Sequence, residues 1–560
     1  MITGVFMRRK KTVAVLASLV AVAALVAGGT VYVLRTRGTP EGVAGRYLAA
    51  WERSDYGAMR ELVAEPQEPQ QGFVERYQRW AKELRVRSAS FQTRSTETDG
   101  DRAAVTYHAT VTLAELGTWT YDGRLVLKTH DRRWRVDWSP AALYPALDSS
   151  THLARETTWP QRAHILAADG TRLDGSSAPP ALSGIVGSVG PATAEELEQL
   201  GPSYEQGDKV GHSGLQAAYQ DQLAGSPAGA IQVVDARGNS QRTVARLGGK
   251  RGTPVHTTVD VDAQRAAAQA VSGQDKPTAL VAVQASTGRI MAVANQPVGY
   301  NRAMLGRYPP GSTFKVLTAA ALVTDGVGLR QQVPCPATAT IGGRTFHNYE
   351  YEDFGQIPFR TSFAHSCNTT FAKLATQRLS PQRMVEVAEN FGFNTALTPG
   401  LAAVRGKFPK PRDPTELAAA AFGQGRVLAS PMLMASLAAA VADGTWRPPA
   451  LVKDDDPTPT ATPSATATPH KLDERVVRTV RKLMRSVVTD GTAAGVSLPA
   501  GTAGKTGTAE FGGGQGDEEP PTHAWFIGFH GDVAFAALVE GGGTGAEAAA
   551  PVAADFLRAL

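Results

Sequence analysis

The chain has little cysteine and little clustered charge, and each shortage removes a class of function. Only two cysteines, Cys335 and Cys367, occur in 560 residues. So few exclude a disulfide scaffold and a cysteine-based zinc finger. No stripe of Lys and Arg interleaved with aromatics runs along the sequence, so nucleic-acid binding finds no support. Asp and Glu are scattered without a convergent pattern. His523 is followed by apolar residues rather than by a second ligand, and His164 and His212 have no ligand set near them. The chain is therefore expected to use no metal and no cofactor.

Long apolar runs are also absent, with one exception. Arg8-Arg9-Lys10-Lys11 precedes an uncharged apolar stretch from Thr12 to Leu34, and Arg35 and Arg37 follow it. As a helix rising about 1.5 Å per residue, the stretch reaches roughly 34 Å, against a bilayer core of about 30 Å. Four basic residues before the run and two after it place the N-terminus in the cytoplasm. A cleaved signal peptide is the alternative, but its apolar core spans only about 7–15 residues. Residues 1–11 are thus expected as a cytoplasmic tail and 12–34 as a single membrane anchor, with the body of the protein outside. A hydrophobic share of 42% fits folded domains, and the length suggests about three or four of them. The net charge of +5 suits an anionic membrane face or acidic wall polymers as readily as simple solvation.

Beyond the anchor the periodicity changes three times. Val43, Tyr47, Leu48, Trp51, Met59, Leu62 and Val63 have helical spacing. From about Ser88 the period becomes two, with strands predicted over Ala104–Leu113, Gly123–Lys128 and Trp134–Trp138. Residues 148–256 are mixed: a strand and turn over Gln161–Gly170, then a glycine-broken lead into an amphipathic helix over Gly211–Leu223. From Thr257 onward, Ala279–Gln284 and Arg289–Ala294 form a predicted hairpin, and helices alternate with glycine-rich turns to the end. The Asp-, Thr- and Pro-rich stretch 454–470 cannot bury a core and reads as an exposed, disordered insertion.

Three short motifs carry chemistry. In Tyr308-Pro309-Pro310-Gly311-Ser312-Thr313-Phe314-Lys315, Ser312 is placed to open a helix, and Lys315, three residues on, shares its face. A desolvated, neutral lysine beside a serine makes a nucleophile with its base. In Ser366-Cys367-Asn368 the hydroxyl can relay a proton, and the amide can both donate and accept. In Gly504-Lys505-Thr506-Gly507-Thr508 a strand would put Lys505 and Gly507 on one face. Its cation and hydroxyls suit a carboxylate, and its glycine suits close approach of a substrate backbone. Ser366 lies 54 residues after Ser312, and Lys505 lies 139 after Ser366.

Ser-x-x-Lys, Ser-x-Asn and Lys-Thr-Gly in this order form the motif set of penicillin-binding proteins and serine β-lactamases. Tyr308–Lys315, Phe422-Gly-Gln-Gly425, Gly491-Thr-Ala493 and His523–Phe529 further resemble the class B transpeptidases. Trp134–Pro140 and Leu143-Tyr-Pro145 resemble the closing strand of the NTF2-like domain found in their low-affinity type. The resemblance implies an α+β NTF2-like domain over 40–147, a mixed linker or pedestal, dimerisation-like, over 148–256, and an α/β transpeptidase domain over 257–560. It implies a serine D,D-transpeptidase that cross-links peptidoglycan stem peptides ending in D-Ala-D-Ala. Ser312, Lys315 and Ser366 would be catalytic. Asn368, Lys505, Thr506, Gly507 and Thr508 would bind substrate, and the backbone N–H groups of Ser312 and Thr508 would form the oxyanion hole. Implied partners are the lipid-linked precursor, β-lactams held on Ser312, and a membrane glycan polymerase. A D,D-carboxypeptidase shares all three motifs. A β-lactam sensor would need a cytoplasmic output module, and a β-lactamase would not need the N-terminal modules. A bond between Cys335 and Cys367 would tie the second motif to a loop; the sequence leaves it open.

Overall fold

The computed structural model describes residues 37–64, 70–175, 180–201, 204–453, 467–512 and 520–560. The expected anchor Thr12–Leu34 and residues 454–466 of the expected insertion lie outside them. Among the described residues no helix is long and apolar enough to cross a membrane. The chain forms two compact units, one of residues up to 161 with 197–204 and 225–251, the other of 162–196, 205–224 and 252–560.

In the first unit Thr39 caps helix α1 (Pro40–Glu52) by accepting the Gly42 N–H, and Pro40 presets the first turn. The helical spacing read from sequence holds, with Val43, Tyr47, Leu48 and Trp51 all buried. Helices α2 (Tyr56–Glu61) and α3 (Gln70–Glu83) follow. Strands β1 (Val86–Asp99), β2 (Arg102–Leu113), β3 (Gly117–His130) and β4 (Arg133–Val136) pair antiparallel in chain order. On β3 burial alternates, with Trp119, Tyr121, Leu125 and Leu127 facing inward. Trp51 anchors the core, stacked on Phe91 at 4.2 Å and edge-on to Tyr77 at 5.0 Å. The buried hydroxyls are satisfied: Tyr47 and Tyr77 share a bond of 2.7 Å, and Trp138 Nε1 donates to Tyr77 Oη at 3.2 Å.

Strand β5 (Thr151–Thr158) pairs with β6 (Ala228–Asp235), which pairs with β7 (Ser240–Leu247). Leu153, Ile231 and Val233 join the same aromatic core. Residues 148–256 are therefore divided between the two units, because this sheet needs a hydrophobic partner and finds it on the N-terminal core. We expect Trp51→Ala to lower the stability of this unit by about 3–5 kcal/mol in denaturant unfolding, the usual cost of deleting a buried indole.

The second unit is built on an antiparallel sheet. Strands β8 (Thr278–Gln284), β9 (Ile290–Gln296), β10 (Ala503–Glu510), β11 (Thr522–His530) and β12 (Val533–Val539) lie in the order β9-β8-β12-β11-β10. The predicted hairpin is β8–β9. Of its helices, α4 (Val261–Ser272), α9 (Pro431–Asp443), α10 (Glu474–Thr489) and α11 (Ala550–Ala559) pack on the sheet. Helices α5 (Lys315–Thr324), α6 (Phe359–Ala364), α7 (Asn368–Arg378) and α8 (Pro414–Ala421) pack on other helices and short strands. Met432 to Val441 are buried on every side of α9, so that helix forms the interior of the unit. The predicted strand near Ile165 is two residues long and pairs in parallel with Val255–His256. The glycine-broken helix resolves into two turns, Gly214–Ala218 and Gln220–Ala224. His470, assigned to the insertion from sequence, stands in a short strand opposite Trp446.

Candidate active site

Ser312 does not open the helix as expected. It lies within a 3₁₀ turn, Gly311–Phe314, that runs directly into α5, and no side chain caps either segment. The difference matters chemically. A 3₁₀ turn eclipses residues i and i+3, so Lys315 stands over Ser312, with Nζ 3.0 Å from Oγ. The hydroxyl is thereby kept from a capping bond. Thr313 holds the turn by donating to Pro310 O at 2.6 Å, and Trp525 Nε1 donates to Pro309 O at 3.0 Å.

Lys315 is fully buried. Its amine reaches Ser366 O at 2.5 Å, Asn368 Oδ1 at 2.6 Å and Ser366 Oγ at 3.2 Å, besides Ser312. Burial first, and the neighbouring Lys505 charge second, hold its pKa well below the ordinary lysine value. A neutral amine has two N–H groups and one lone pair. The carbonyl and the amide oxygen accept only, so they take the two N–H groups. The lone pair is left to the hydroxyls, of which Ser312 is the nearer. Phe371 and Phe422 close around the amine at 5.6 and 6.0 Å.

Ser366 sits between α6 and α7 with φ +60, a backbone region costly for a residue with a side chain. That turn aims its Oγ at two lysines at once, since Lys505 Nζ lies 2.8 Å away. Lys505 is also buried, and burial lowers its pKa to about 7. Cys367, next in sequence, is bonded to Cys335. The Asn368 amide is engaged at both ends, Oδ1 by Lys315 and Nδ2 with His347 O at 3.0 Å. Through Oδ1 it positions the Lys315 amine.

Strand β10 is the sheet edge, so its outer backbone row pairs with no strand among the described residues. Thr506 Oγ1 bonds Thr492 Oγ1 at 2.6 Å, whereas Thr508 is half-buried with no side-chain hydrogen bond among the described residues. Gly507 also lets two elements of the site come close. A Cβ there would meet the Thr313 methyl at 2.8 Å and Pro310 O at 3.1 Å, so the glycine admits the nucleophile turn. Gly311, at φ +53, meets Thr508 O from the other side.

Asn348 and Glu540 escaped sequence reasoning, and Tyr308, Thr492 and His523 entered it only as members of matched stretches. Asn348 is buried, donates to Pro336 O and Glu352 O at 2.9 Å each, and accepts the Thr369 N–H at 3.1 Å. Tyr308 Oη donates to Glu540 at 2.6 Å, and Arg302 binds the same oxygen at 3.0 Å. Glu540 is 232 residues from Tyr308, and no local pattern links them. Thr492 lies in the Gly491-Thr-Ala493 match, which was the one available signal. His523 stacks on Phe511 at 3.9 Å and accepts the Gly541 N–H at Nδ1; burial lowers its pKa against the pull of Glu540.

These elements match known families along the chain. Residues 278–558 match the penicillin-binding protein transpeptidase domain, 39–151 the NTF2-like N-terminal transpeptidase domain, and 178–257 the penicillin-binding protein dimerisation domain. The chain belongs to the penicillin-binding proteins of the class B type, with an NTF2-like domain ahead of the transpeptidase domain. It is 32% identical over 368 residues to peptidoglycan D,D-transpeptidase PbpA of Mycolicibacterium smegmatis, covering 54% of this chain and 71% of the relative. It is 27% identical over 436 residues to peptidoglycan D,D-transpeptidase MrdA of Acinetobacter baumannii, covering 66% and 63% respectively. Pseudomonas aeruginosa PBP2, solved in complex with WCK 5153, superposes with a TM-score of 0.60 at 26% identity over 72% of this chain and 96% of its own.

The lysine burial predicts a pH signature. Unfolded, Lys505 titrates near 10.5, and folded near 7, so between these values the unfolded chain binds more protons. Stability from this group therefore rises with pH from about 7 to about 10. Comparing denaturant midpoints across that range, Lys505→Met is expected to flatten the slope relative to the unsubstituted protein.

Proposed function

We propose that this chain is a peptidoglycan D,D-transpeptidase in which Ser312 is the nucleophile and neutral Lys315 its base. The observation that carries the reading is a buried amine 3.0 Å from Ser312 Oγ, with its two N–H groups directed to Ser366 O and Asn368 Oδ1. Ser312 Oγ bonds to the carbonyl carbon of the penultimate D-Ala as its proton passes to Lys315. The bond to the terminal D-Ala nitrogen then breaks, and Ser366, within reach of both lysines, relays the proton to the departing amine. The Ser312 and Thr508 N–H groups stabilise the oxyanion, each contributing about 3–4 kcal/mol as in comparable sites. Lys505, Thr506 and Thr508 draw in the terminal carboxylate, and the open edge of β10 takes the donor peptide as an added strand.

An acceptor amine from a second stem peptide next attacks the acyl carbon, the Oγ–C bond breaks, and the proton returns to Ser312. A β-lactam enters the same first step and stays on Ser312. Slow acylation is expected if the enzyme is of the low-affinity type. The lipid-linked precursor supplies the donor, and a glycan polymerase in the same membrane supplies strands. Residues 12–34 tether the enzyme to the plasma membrane as a single span, with the N-terminus in the cytoplasm and the catalytic domain outside.

Two assays test this reading. Fluorescent penicillin labels the protein covalently, Ser312→Ala abolishes the label, and Lys315→Met slows it by about 10²–10⁴-fold, the range for loss of a general base. No label on the unsubstituted protein after prolonged exposure contradicts the acyl-enzyme. With a lipid-linked substrate, cross-linked dimer is expected in excess of free hydrolysed peptide. Hydrolysis alone would make the enzyme a D,D-carboxypeptidase.

A further inference from the structure

Three segments far apart in sequence meet in a short backbone ladder beside the nucleophile turn. Tyr308 and Ala429 exchange both backbone hydrogen bonds, at 2.9 and 2.8 Å, and Lys407 and Leu428 do so at 2.8 and 3.0 Å. Residues opposite one another share a face, and neighbours along a strand alternate. Tyr308 and Ala429 are buried, so Leu428 and Lys407 lie on the outward face. Gly406 and Phe408, on either side of Lys407, point inward, Phe408 stacking on Phe314 at 5.3 Å.

This packing leaves Arg307, Arg405, Lys407, Lys410, Arg412 and Arg426 exposed together. Only two carboxylates, Asp413 and Glu416, occur on the same segments. Arg412 and Arg426 both bind Glu416. Arg307, Arg405, Lys407 and Lys410 form no ion pair among the described residues. Six cations against two carboxylates make up most of the excess in a chain whose net charge is only +5. Four of the six lie within residues 405–412, and the fold adds Arg307 and Arg426 to them.

We propose that this ladder is a binding surface for the substrate strand, holding stem-peptide carboxylates along an uncross-linked glycan while one donor peptide occupies Ser312. The inference rests on the D,D-transpeptidase reading and extends it from the reacting peptide to the polymer that carries it. Two features favour this ligand. The surface is continuous with the catalytic wall: Tyr308 stands four residues before Ser312, and the Gly311 N–H donates to Gly423 O at 3.0 Å. Residues 405–412 also extend up to about 25 Å, longer than a single anion needs. A lone exposed ion pair contributes little, so a row of cations acts through a ligand with repeated charge. A phosphate-rich wall polymer has repeated charge too, but nothing in its chemistry requires a site beside the nucleophile.

The test uses the full chain and a triple charge reversal, R405E/K407E/K410E, none of whose side chains touches the catalytic groups. The probes are soluble uncross-linked peptidoglycan strands, the same strands stripped of their stem peptides, and a polyribitol phosphate. At low salt the variant is expected to bind intact strands at least about tenfold more weakly than the unsubstituted protein. The difference should vanish near 1 M salt, where the screening length is about 3 Å. Stripped strands should bind weakly to both proteins, and the rate of penicillin labelling at Ser312 should not change. Equal affinity of the two proteins for intact strands overturns the proposal, as does a loss confined to the polyphosphate. Should the triple variant fail to fold, Lys407→Gln with Lys410→Gln is expected to give a smaller loss of the same kind, and no loss overturns the proposal. Absence of penicillin labelling in the unsubstituted protein strikes the D,D-transpeptidase reading alone, since strand binding is scored separately.

Discussion

The burial of two lysines around one serine hydroxyl governs the rest of this site. Lys315 and Lys505 are both wholly removed from water, and each reaches Ser366 Oγ. Their partners are carbonyl, amide and hydroxyl oxygens, with no carboxylate among them. Two buried ammonium groups this close would repel and lack solvation, so the arrangement expels a proton from Lys315, whose pKa the Lys505 charge lowers further. What elsewhere would be a liability becomes a base, held against the nucleophile by a 3₁₀ turn.

Much of the surrounding structure keeps those amines in place. The disulfide and the buried Asn348 fix the segment that carries Ser366 and Asn368. The left-handed backbone at Ser366 sets the hydroxyl between the lysines at a local conformational cost. Gly311 and Gly507 let the nucleophile turn and the edge strand approach closely, where a Cβ on either would collide with the other segment. Glu540, reached from Tyr308 and Arg302, braces the segment leading into that turn. Each of these devices acts on position, and the chemistry follows from the positions.

The motifs were legible because each is local and chemically unusual: Ser312, Lys315, Ser366 and Lys505 were all named from spacing, and the fold brings them within hydrogen-bond reach. The β8–β9 hairpin and the N-terminal helix face were legible for the same reason, since periodicity is a short-range property. Contacts across long sequence separations were not. The close approach of Gly507 to Pro310 and Thr313 was hidden because they lie nearly two hundred residues earlier. The bond from Asn368 to His347 had no local signal, because His347 belongs to another loop. The pairing of the cysteines and the division of residues 148–256 between two units depend on geometry that no spacing encodes.

The central claim is that Lys315 is a neutral amine in the resting enzyme. Lysine ε-carbons labelled with ¹³C, followed by NMR across pH, test it directly when Lys315→Met assigns the resonance. The account predicts that the resonance lost in that variant stays in its neutral position at pH 7 and does not titrate near 10.4, the ordinary lysine value. A Lys315 resonance that titrates with the surface lysines would contradict the account.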